Sequence, residues 1–296
     1  MASEAARAST RHRQRAFGIV LSAPALLLVL GFSVVPLIAA VGLSLTSFDL
    51  FSSPRFIGLR NYQQLLADPV FWTATGNTLI FAVGQVSVGI VVVIFVAVLF
   101  NQALRGGAIM RTIVYLPQAA SYVVVALVWN LLLDPFAGPL SRLVQQFTGE
   151  ILPVLTDSGR ALPAIVVMSL WRNLGYFMII VLAALQAVPN ELLEAARVDG
   201  AGAVSRFRWV TLPEIIPAVI FVAITWFLGA LQMFTQSYVM TQGGPVNATR
   251  TIVYIMYDQA FAALNFGKAS AIAVLLFGAV VVVSVALRLV GRRVAV

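Results

Sequence analysis

Long runs without a charged residue dominate this chain and determine its predicted architecture. Such runs cover 16–48, 69–104, 112–133, 215–249 and 269–287, and the run 161–190 is interrupted only by Arg172. A helix that crosses the hydrocarbon core of a membrane needs about 20 consecutive apolar residues. The pattern therefore predicts an all-α, polytopic membrane protein with six transmembrane helices, near 17–45, 76–100, 112–133, 163–188, 214–238 and 268–289.

Composition supports membrane insertion and excludes several kinds of chemistry. Hydrophobic residues make up 60% of the chain and charged residues 10%, whereas a soluble domain carries about 25% charged residues. Cysteine is absent and the single histidine, His12, lies in the basic N-terminal segment. The chain therefore lacks the residues for a thiolate-based or histidine-based metal site and for an intramembrane enzyme with a Ser-His pair.

The positive charges predict an orientation and do not indicate nucleic-acid binding. They flank the apolar runs and do not form one basic face. With the N-terminus in the cytoplasm, twelve Lys and Arg residues fall on the inside and six on the outside, as the positive-inside rule requires. Both termini are then cytoplasmic, with a basic arm at 1–16, a permease domain at 17–290 and a tail at 291–296. The first apolar run is too long for a signal peptide.

One polar segment, 189–213, lies between the fourth and fifth predicted spans. It contains Glu194-Ala195-Ala196, three residues, Gly200, nine residues, and Val210-Thr211-Leu212-Pro213. Pro189 ends one span and glycines bracket a turn, so a helix–turn–helix at the membrane surface is expected. The spacing resembles the cytoplasmic coupling loop of ABC-importer permeases, except that Val210 stands where these have Ile.

Further segments resemble the sugar-uptake branch of that family, specifically the larger maltose-importer membrane subunit and the first glycerol-3-phosphate permease. The similar segments are Phe56-Ile57-Gly58-Leu59-Arg60-Asn61-Tyr62, Arg111–Pro117, Trp171–Tyr176, Gly243-Gly244-Pro245 and Phe266-Gly267. The resemblance covers about residues 17–290. It implies the type I importer permease fold in a bacterial plasma membrane.

The resemblance also implies partners. These are a second, non-identical permease, two copies of a cytoplasmic ATPase subunit, an extracytoplasmic solute-binding protein and membrane lipid. The partner ATPases would bind ATP and Mg, and no cofactor is expected in this chain, because Gly267-Lys268 is followed by Ala269 and forms no phosphate-binding loop. The ATPase-coupling residues implied are Glu191, Glu194, Ala195, Ala196, Asp199, Gly200, Leu212 and Pro213.

Candidate solute-path residues come from polar and aromatic positions within the spans. Arg172 is a charge inside a span window, and such a residue either faces a cavity or extends to the membrane interface beside Trp171. Both interpretations stay open, as does simple helix packing for the other candidates. The candidates are Arg172, Asn173, Tyr176, Trp226, Gln232, Phe234 and Gln236.

We therefore expect a permease subunit that forms half of the pore for a sugar or sugar-like solute. Glycerol-3-phosphate or a glycerophosphodiester is the alternative solute. A self-sufficient secondary transporter is the alternative of another class, but it would need coupling carboxylates within the spans. No acidic residue lies centrally in any predicted span.

Overall fold

The computed structural model describes residues 21–102, 106–149, 151 and 153–294, which are predominantly helical. Helix α1 (Leu21–Ser44) leads into a small antiparallel hairpin of β1 (Thr46–Ser47) and β2 (Arg55–Phe56). The remaining helices are α2 (Arg60–Leu66), α3 (Pro69–Phe100), α4 (Gly107–Ala119), α5 (Tyr122–Leu132), α6 (Pro139–Thr148), α7 (Ala161–Gln186), α8 (Asn190–Val198), α9 (Ala203–Ala230), α10 (Thr235–Met240), α11 (Ile252–Tyr257) and α12 (Phe266–Val294).

Five helices of the described chain are long and apolar enough to cross a membrane: α1, α3, α7, α9 and α12. They confirm the all-α membrane class and five of the predicted spans in outline. The basic arm predicted at 1–16 and the first four residues of the predicted first span, 17–20, lie outside the described residues. Helix α12 continues through the predicted tail as far as Val294. We call the side of the molecule that carries 187–202 the loop side.

The predicted third span, 112–133, is a broken element and not one straight helix. Helices α4 and α5 meet at an angle of 99°. Pro117 lies in the last turn of α4 and cannot donate a backbone hydrogen bond. The Ser121 hydroxyl then accepts a bond from the Val124 N–H at 3.4 Å and caps α5. The pair counts as a sixth span only if the two helices are taken together.

The predicted fifth span, 214–238, is displaced toward the loop side. Helix α9 begins at Ala203, so the short helix expected near 203–210 forms its first turns, through the π-helical segment Phe207–Thr211. The helix ends at Ala230, eight residues early, and α10 follows as a separate element. A tertiary contact stabilises the break, because the buried Thr251 hydroxyl donates to the Met233 carbonyl at 2.7 Å.

Two core clusters occupy successive levels of the helix bundle. The cluster far from the loop side joins α3, α5, α7 and the 230–240 region around Phe81, Ile165 and Met168. The loop-side cluster joins α3, α7 and α9 around Val93, Val181 and Val222. A third, smaller cluster packs α2, α3, α11 and α12 together.

Two of the quoted sequence motifs meet in space at the end of α1. The Asn61 amide, 3% exposed, donates to the Ser44 and Thr46 carbonyls at 2.8 and 2.9 Å. Gly267 lies so close to the Thr46 carbonyl that no side chain would fit there. The Asn61 side chain and Gly267 therefore both contact the backbone of Thr46, and this joins the hairpin to the start of α12.

Helices α4 and α7 approach each other closely at Gly175. A Cβ atom at this position would lie 2.5 Å from the Tyr115 Cα atom and would also meet the Val114 carbonyl. Both obstacles are backbone atoms, which cannot move aside as a flexible side chain can. Gly175 is therefore required for the α4–α7 contact.

We predict that Gly175→Ala destabilises the protein by about 1–3 kcal/mol, the usual cost of overpacking. Thermal unfolding of the detergent-solubilised chain measures this. Gly278→Ala is the matched control, because Gly278 is also helical and a Cβ there meets nothing within 4 Å. Equal stability of the two variants would contradict the packing argument.

Candidate functional site

A cavity of about 240 Å³ lies between the two main core clusters. Residues from α3, from the α4–α5 break and from α7, α9 and α10 contribute to it. Its lining consists of Phe81, Gln85, Gln118, Tyr122, Arg172, Asn173, Tyr176, Phe177, Thr225, Trp226, Gly229, Ala230 and Gln236. The cavity is partly open, since Tyr176, Thr225 and Gly229 in its lining are exposed. A concave space with aromatic walls and a few polar groups is typical of a small-molecule site.

The polar groups available in this cavity are uncharged. Gln236 is 6% exposed and makes no hydrogen bond with any described residue. The side-chain amide nitrogens of Gln118 and Asn173 and the Tyr176 hydroxyl also donate to no described residue, although all three side chains line the cavity. An amide supplies both donors and an acceptor. The site can therefore form several hydrogen bonds with a neutral solute.

Arg172 lies about midway along α7, eleven residues after Ala161. Its guanidinium forms hydrogen bonds within the protein. It donates to the Gln118 side-chain oxygen at 2.9 Å and to the Ala120 carbonyl at 2.9 Å. Its Cζ atom lies 3.8 Å from the centre of the Tyr122 ring, in a cation–π contact.

The wall of the cavity nearest the loop side is a stacked aromatic pair. The Phe177 and Trp226 rings lie 4.3 Å apart with an interplanar angle of 19°. The Trp226 indole N–H donates to the Gln85 side-chain oxygen at 2.6 Å, in a bond that is fully buried. Gly89 makes room for this ring, because a Cβ atom there would lie 2.6 Å from the Trp226 Cζ3 atom and closer still to Cη2.

The 189–213 segment has a defined local geometry. The Gly200 N–H donates to the Arg197 carbonyl and the Ala201 N–H to the Ala196 carbonyl, at 3.0 and 2.9 Å. With Gly200 at φ +79°, this is the Schellman pattern that ends a helix. Glycine is thus required at this position of the motif, because other residues adopt a positive φ only at a cost.

The surface of this segment combines exposed charged residues with exposed apolar ones. Glu191 lies in the first turn of α8, and Glu194, Ala195 and Asp199 are exposed along the same helix and its end. Among the described residues the Glu194–Arg197 pair is not formed. Beside them, Val198, Val204 and Trp209 are 88, 81 and 71% exposed. An apolar patch next to charged residues is typical of a protein-binding surface.

The other residues of the segment connect it to the interior. Leu193 and Leu212 pack against the loop-side core cluster, to which Phe177 and Trp226 also belong. Ala196 is half-buried on α8, and Pro213 follows the π-helical turn in α9. A continuous packed region therefore joins the segment to the wall of the cavity.

The structure brings five of the seven candidate solute-path residues into one cavity: Arg172, Asn173, Tyr176, Trp226 and Gln236. The expectation that Gln232 and Phe234 share a helix with Trp226 is wrong, because α9 ends at Ala230. Gln232 lines a separate groove beside Met256. Phe234 packs among aromatic rings, 5.2 Å from Tyr238 and 4.9 Å from Tyr257.

Sequence reasoning missed several residues of both regions. Gln85, Gln118, Tyr122 and Thr225 line the cavity, and Val198 and Val204 form the exposed apolar patch. Lone amides in otherwise apolar helices, such as Gln85 and Gln118, were a usable indication, because a polar group in such a run needs a partner. The described residues contain no cluster of three potential metal ligands.

A second polar region lies around 237–258, beyond α9. The Ser237, Thr241 and Thr249 hydroxyls bond to one another and to the loop backbone. Arg250 forms an ion pair with Asp258. Burial, and then the Asp258 carboxylate, raises the pKa of Tyr254. The hydroxyls of Ser237, Thr241 and Thr249 and the Arg250–Asp258 pair thus find their partners within this region.

Comparison with known proteins identifies close relatives. The family model described as "Binding-protein-dependent transport system inner membrane component" matches residues 89–296. The probable ABC transporter permease protein YurN of Bacillus subtilis is 35% identical over 279 residues, which are 91% of this chain and 92% of that protein. The sn-glycerol-3-phosphate transport system permease protein UgpA of Yersinia pestis is 35% identical over 239 residues, covering 80% of this chain and 81% of the relative.

Solved structures show the same fold. A chain of a bacterial ABC transporter involved in the import of the acidic polysaccharide alginate superposes with a TM-score of 0.84. The two chains are 22% identical, and the alignment covers 97% of this chain and 99% of the other. A chain of a bacterial alginate ABC transporter in complex with an alginate pentasaccharide-bound periplasmic protein also matches, with a TM-score of 0.84 and 21% identity over 97% of each chain.

The packing of Trp226 against Gln85 can be tested by a double-mutant cycle. Trp226→Phe leaves a buried acceptor unpaired, and Gln85→Leu leaves a buried donor unpaired. We predict that each costs about 1–3 kcal/mol of stability and that the double variant recovers part of this loss. Thermal unfolding measures the coupling, with Trp171→Phe, at a residue 46% exposed, as control. Simple additivity would show that the bond contributes nothing.

Proposed function

Because this chain belongs to the family of binding-protein-dependent transport system inner membrane components, we propose that its neutral, partly aromatic cavity contacts a sugar or sugar-like solute as the solute crosses the membrane. Family membership makes the chain a permease subunit and sets aside a self-sufficient secondary transporter. The observation that carries the proposal is the set of uncharged, unpartnered amide and hydroxyl groups lining the cavity.

Sugars are recognised by amide hydrogen bonds and by apolar contact with aromatic rings, and both are present here. Gln236 and Asn173 provide the first, and the Phe177–Trp226 stack provides the second. The relatives named for sn-glycerol-3-phosphate keep a phosphorylated polyol as the second candidate solute. We propose that a second, non-identical permease completes the pore and that an extracytoplasmic binding protein delivers the solute.

We further propose that the 189–213 segment docks on one of two cytoplasmic ATPase subunits, which bind ATP and Mg. Val198, Val204 and Trp209 supply an exposed apolar surface, and Glu191, Glu194 and Asp199 supply charge beside it. Both termini lie on the cytoplasmic side in this arrangement. Movement of α8 would reach the cavity through Leu193, Leu212 and the loop-side cluster.

Two glutamines four residues apart test the solute proposal. Gln236→Ala removes a group that lines the cavity, and Gln232→Ala removes one that does not. Losing one neutral hydrogen bond costs about 0.5–1.5 kcal/mol, so we expect uptake by the Gln236→Ala transporter to fall roughly 2–10-fold. Uptake of labelled saccharides by cells carrying the complete transporter provides the measurement. A larger loss in Gln232→Ala would contradict the assignment.

Two glycines in the docking segment test the coupling proposal. Gly200 has φ +79° and Gly202 has φ −67°, and a Cβ meets nothing within 4 Å at either position. An alanine at Gly200 is therefore strained by about 1–2 kcal/mol, which distorts the end of α8. We expect Gly200→Ala to reduce uptake and ATPase co-purification roughly 5–30-fold, with membrane insertion intact. Gly202→Ala should behave as wild type, and equal behaviour of both would count against docking by α8.

A further inference from the structure

The break between α4 and α5 creates a local need for hydrogen-bond donors. The last carbonyls of a helix have no partner within that helix. Here the chain turns through 99° over two residues, so the Gln118 and Ala120 carbonyls cannot continue a helical ladder. In an apolar environment an unpaired carbonyl is costly.

Arg172 supplies the missing donors, and this uses its entire hydrogen-bonding capacity. The Nε–H donates to the Ala120 carbonyl at 3.2 Å. Nη1 donates to the side-chain oxygens of Gln118 and Asn173, at 2.9 and 3.3 Å. Nη2 donates to the Gln118 and Ala120 carbonyls, at 3.3 and 2.9 Å. A guanidinium has five N–H donors, and these five bonds account for all of them.

The Tyr122 side chain completes the arrangement. Its ring covers one face of the guanidinium, and its hydroxyl donates to the Asn173 side-chain oxygen at 2.9 Å. Tyr122 is also the first residue of α5. Both helices that meet at the break are therefore attached to α7 through Arg172 and its neighbour.

We infer that Arg172 is a positioning residue that holds the α4–α5 break, and that the cavity consequently selects an uncharged, hydroxyl-rich solute over a phosphorylated or acidic one. The inference rests on the proposed function of the cavity as a solute site. Among the described residues, Arg172 is the only charged one in the cavity lining, and its donors are occupied. A phosphate or carboxylate would have to displace it from the Gln118 and Ala120 carbonyls and leave both unpaired.

Recognition of an anion normally uses a free guanidinium or ammonium group. The groups that stay free here are amides and a hydroxyl, on Gln118, Asn173, Tyr176 and Gln236. Each matches a sugar hydroxyl, which both donates and accepts. The chemistry of the lining thus distinguishes between the two solute classes that the relatives leave open.

Spin labels measure the positioning role without any solute. The chain has no cysteine, so Ile113→Cys and Leu131→Cys, at residues 62 and 72% exposed, can be labelled selectively in the full-length protein. The Cα atoms are roughly 18 Å apart for the bent pair and would be roughly 27 Å apart in a straight helix, at 1.5 Å rise per residue. Double electron–electron resonance reports this distance.

We expect Arg172→Ala to broaden the distance distribution toward the longer value. Arg172→Lys should restore part of the wild-type distribution, because an ammonium keeps three donors but not the planar fork. Arg142→Ala, on the exposed face of α6, is the matched control and should change nothing. An unchanged distribution in Arg172→Ala would overturn the positioning role.

Uptake by the complete transporter tests the solute class. Labelled maltose, raffinose and sn-glycerol-3-phosphate are the probes. We expect uptake of a neutral saccharide that excess sn-glycerol-3-phosphate does not inhibit, and at least a tenfold loss in Arg172→Ala. Uptake of sn-glycerol-3-phosphate that Arg172→Lys retains and Arg172→Ala abolishes would overturn the inference. Normal uptake by Gln236→Ala would instead refute the cavity as the solute site and leave the distance result valid.

Discussion

Backbone carbonyls exposed by breaks in helices are the constraint on which this structure depends. Where a helix stops among apolar neighbours, no water replaces the lost bond, and a side chain has to supply it. Arg172 does so at the α4–α5 break, and Thr251 does so after α9 through the Met233 carbonyl. Arg111 bonds the Phe100 carbonyl at the end of α3, at 2.8 Å. These three polar side chains are thus committed to backbone carbonyls.

This commitment explains why a cavity with neutral character can exist among apolar helices. The Arg172 guanidinium keeps its charge, but all of its N–H donors are used within the protein. The polar groups left over are amides and hydroxyls whose burial costs less than that of a charge. The break in the third span therefore also places Gln118 and Tyr122 in the cavity lining.

Side-chain packing also joins the cavity to the distant 189–213 segment. The Phe177–Trp226 stack is both a wall of the cavity and part of the loop-side cluster, on which Leu193 and Leu212 also pack. A well-packed core transmits displacement because it has few voids to absorb it. Several motif positions serve this packing directly, since Gly175 admits the backbone of α4 and Gly200 ends α8.

Apolar runs and turn chemistry determined much of this protein from sequence alone. They predicted the membrane class, five of the spans and the turn at Gly200 within 189–213, because each depends on local periodicity or local backbone conformation. Five polar or aromatic residues singled out within the spans also line the cavity. Tertiary structure alone decided where the third and fifth spans break, and hence that Gln232 and Phe234 leave the cavity while Gln85 and Gln118 enter it. The breaks at Ala120 and Ala230 persist because Arg172 and Thr251, 52 and 21 residues further along the chain, bond the carbonyls that they expose. No local pattern contains that information, since the donors reach these carbonyls only after the helices have packed.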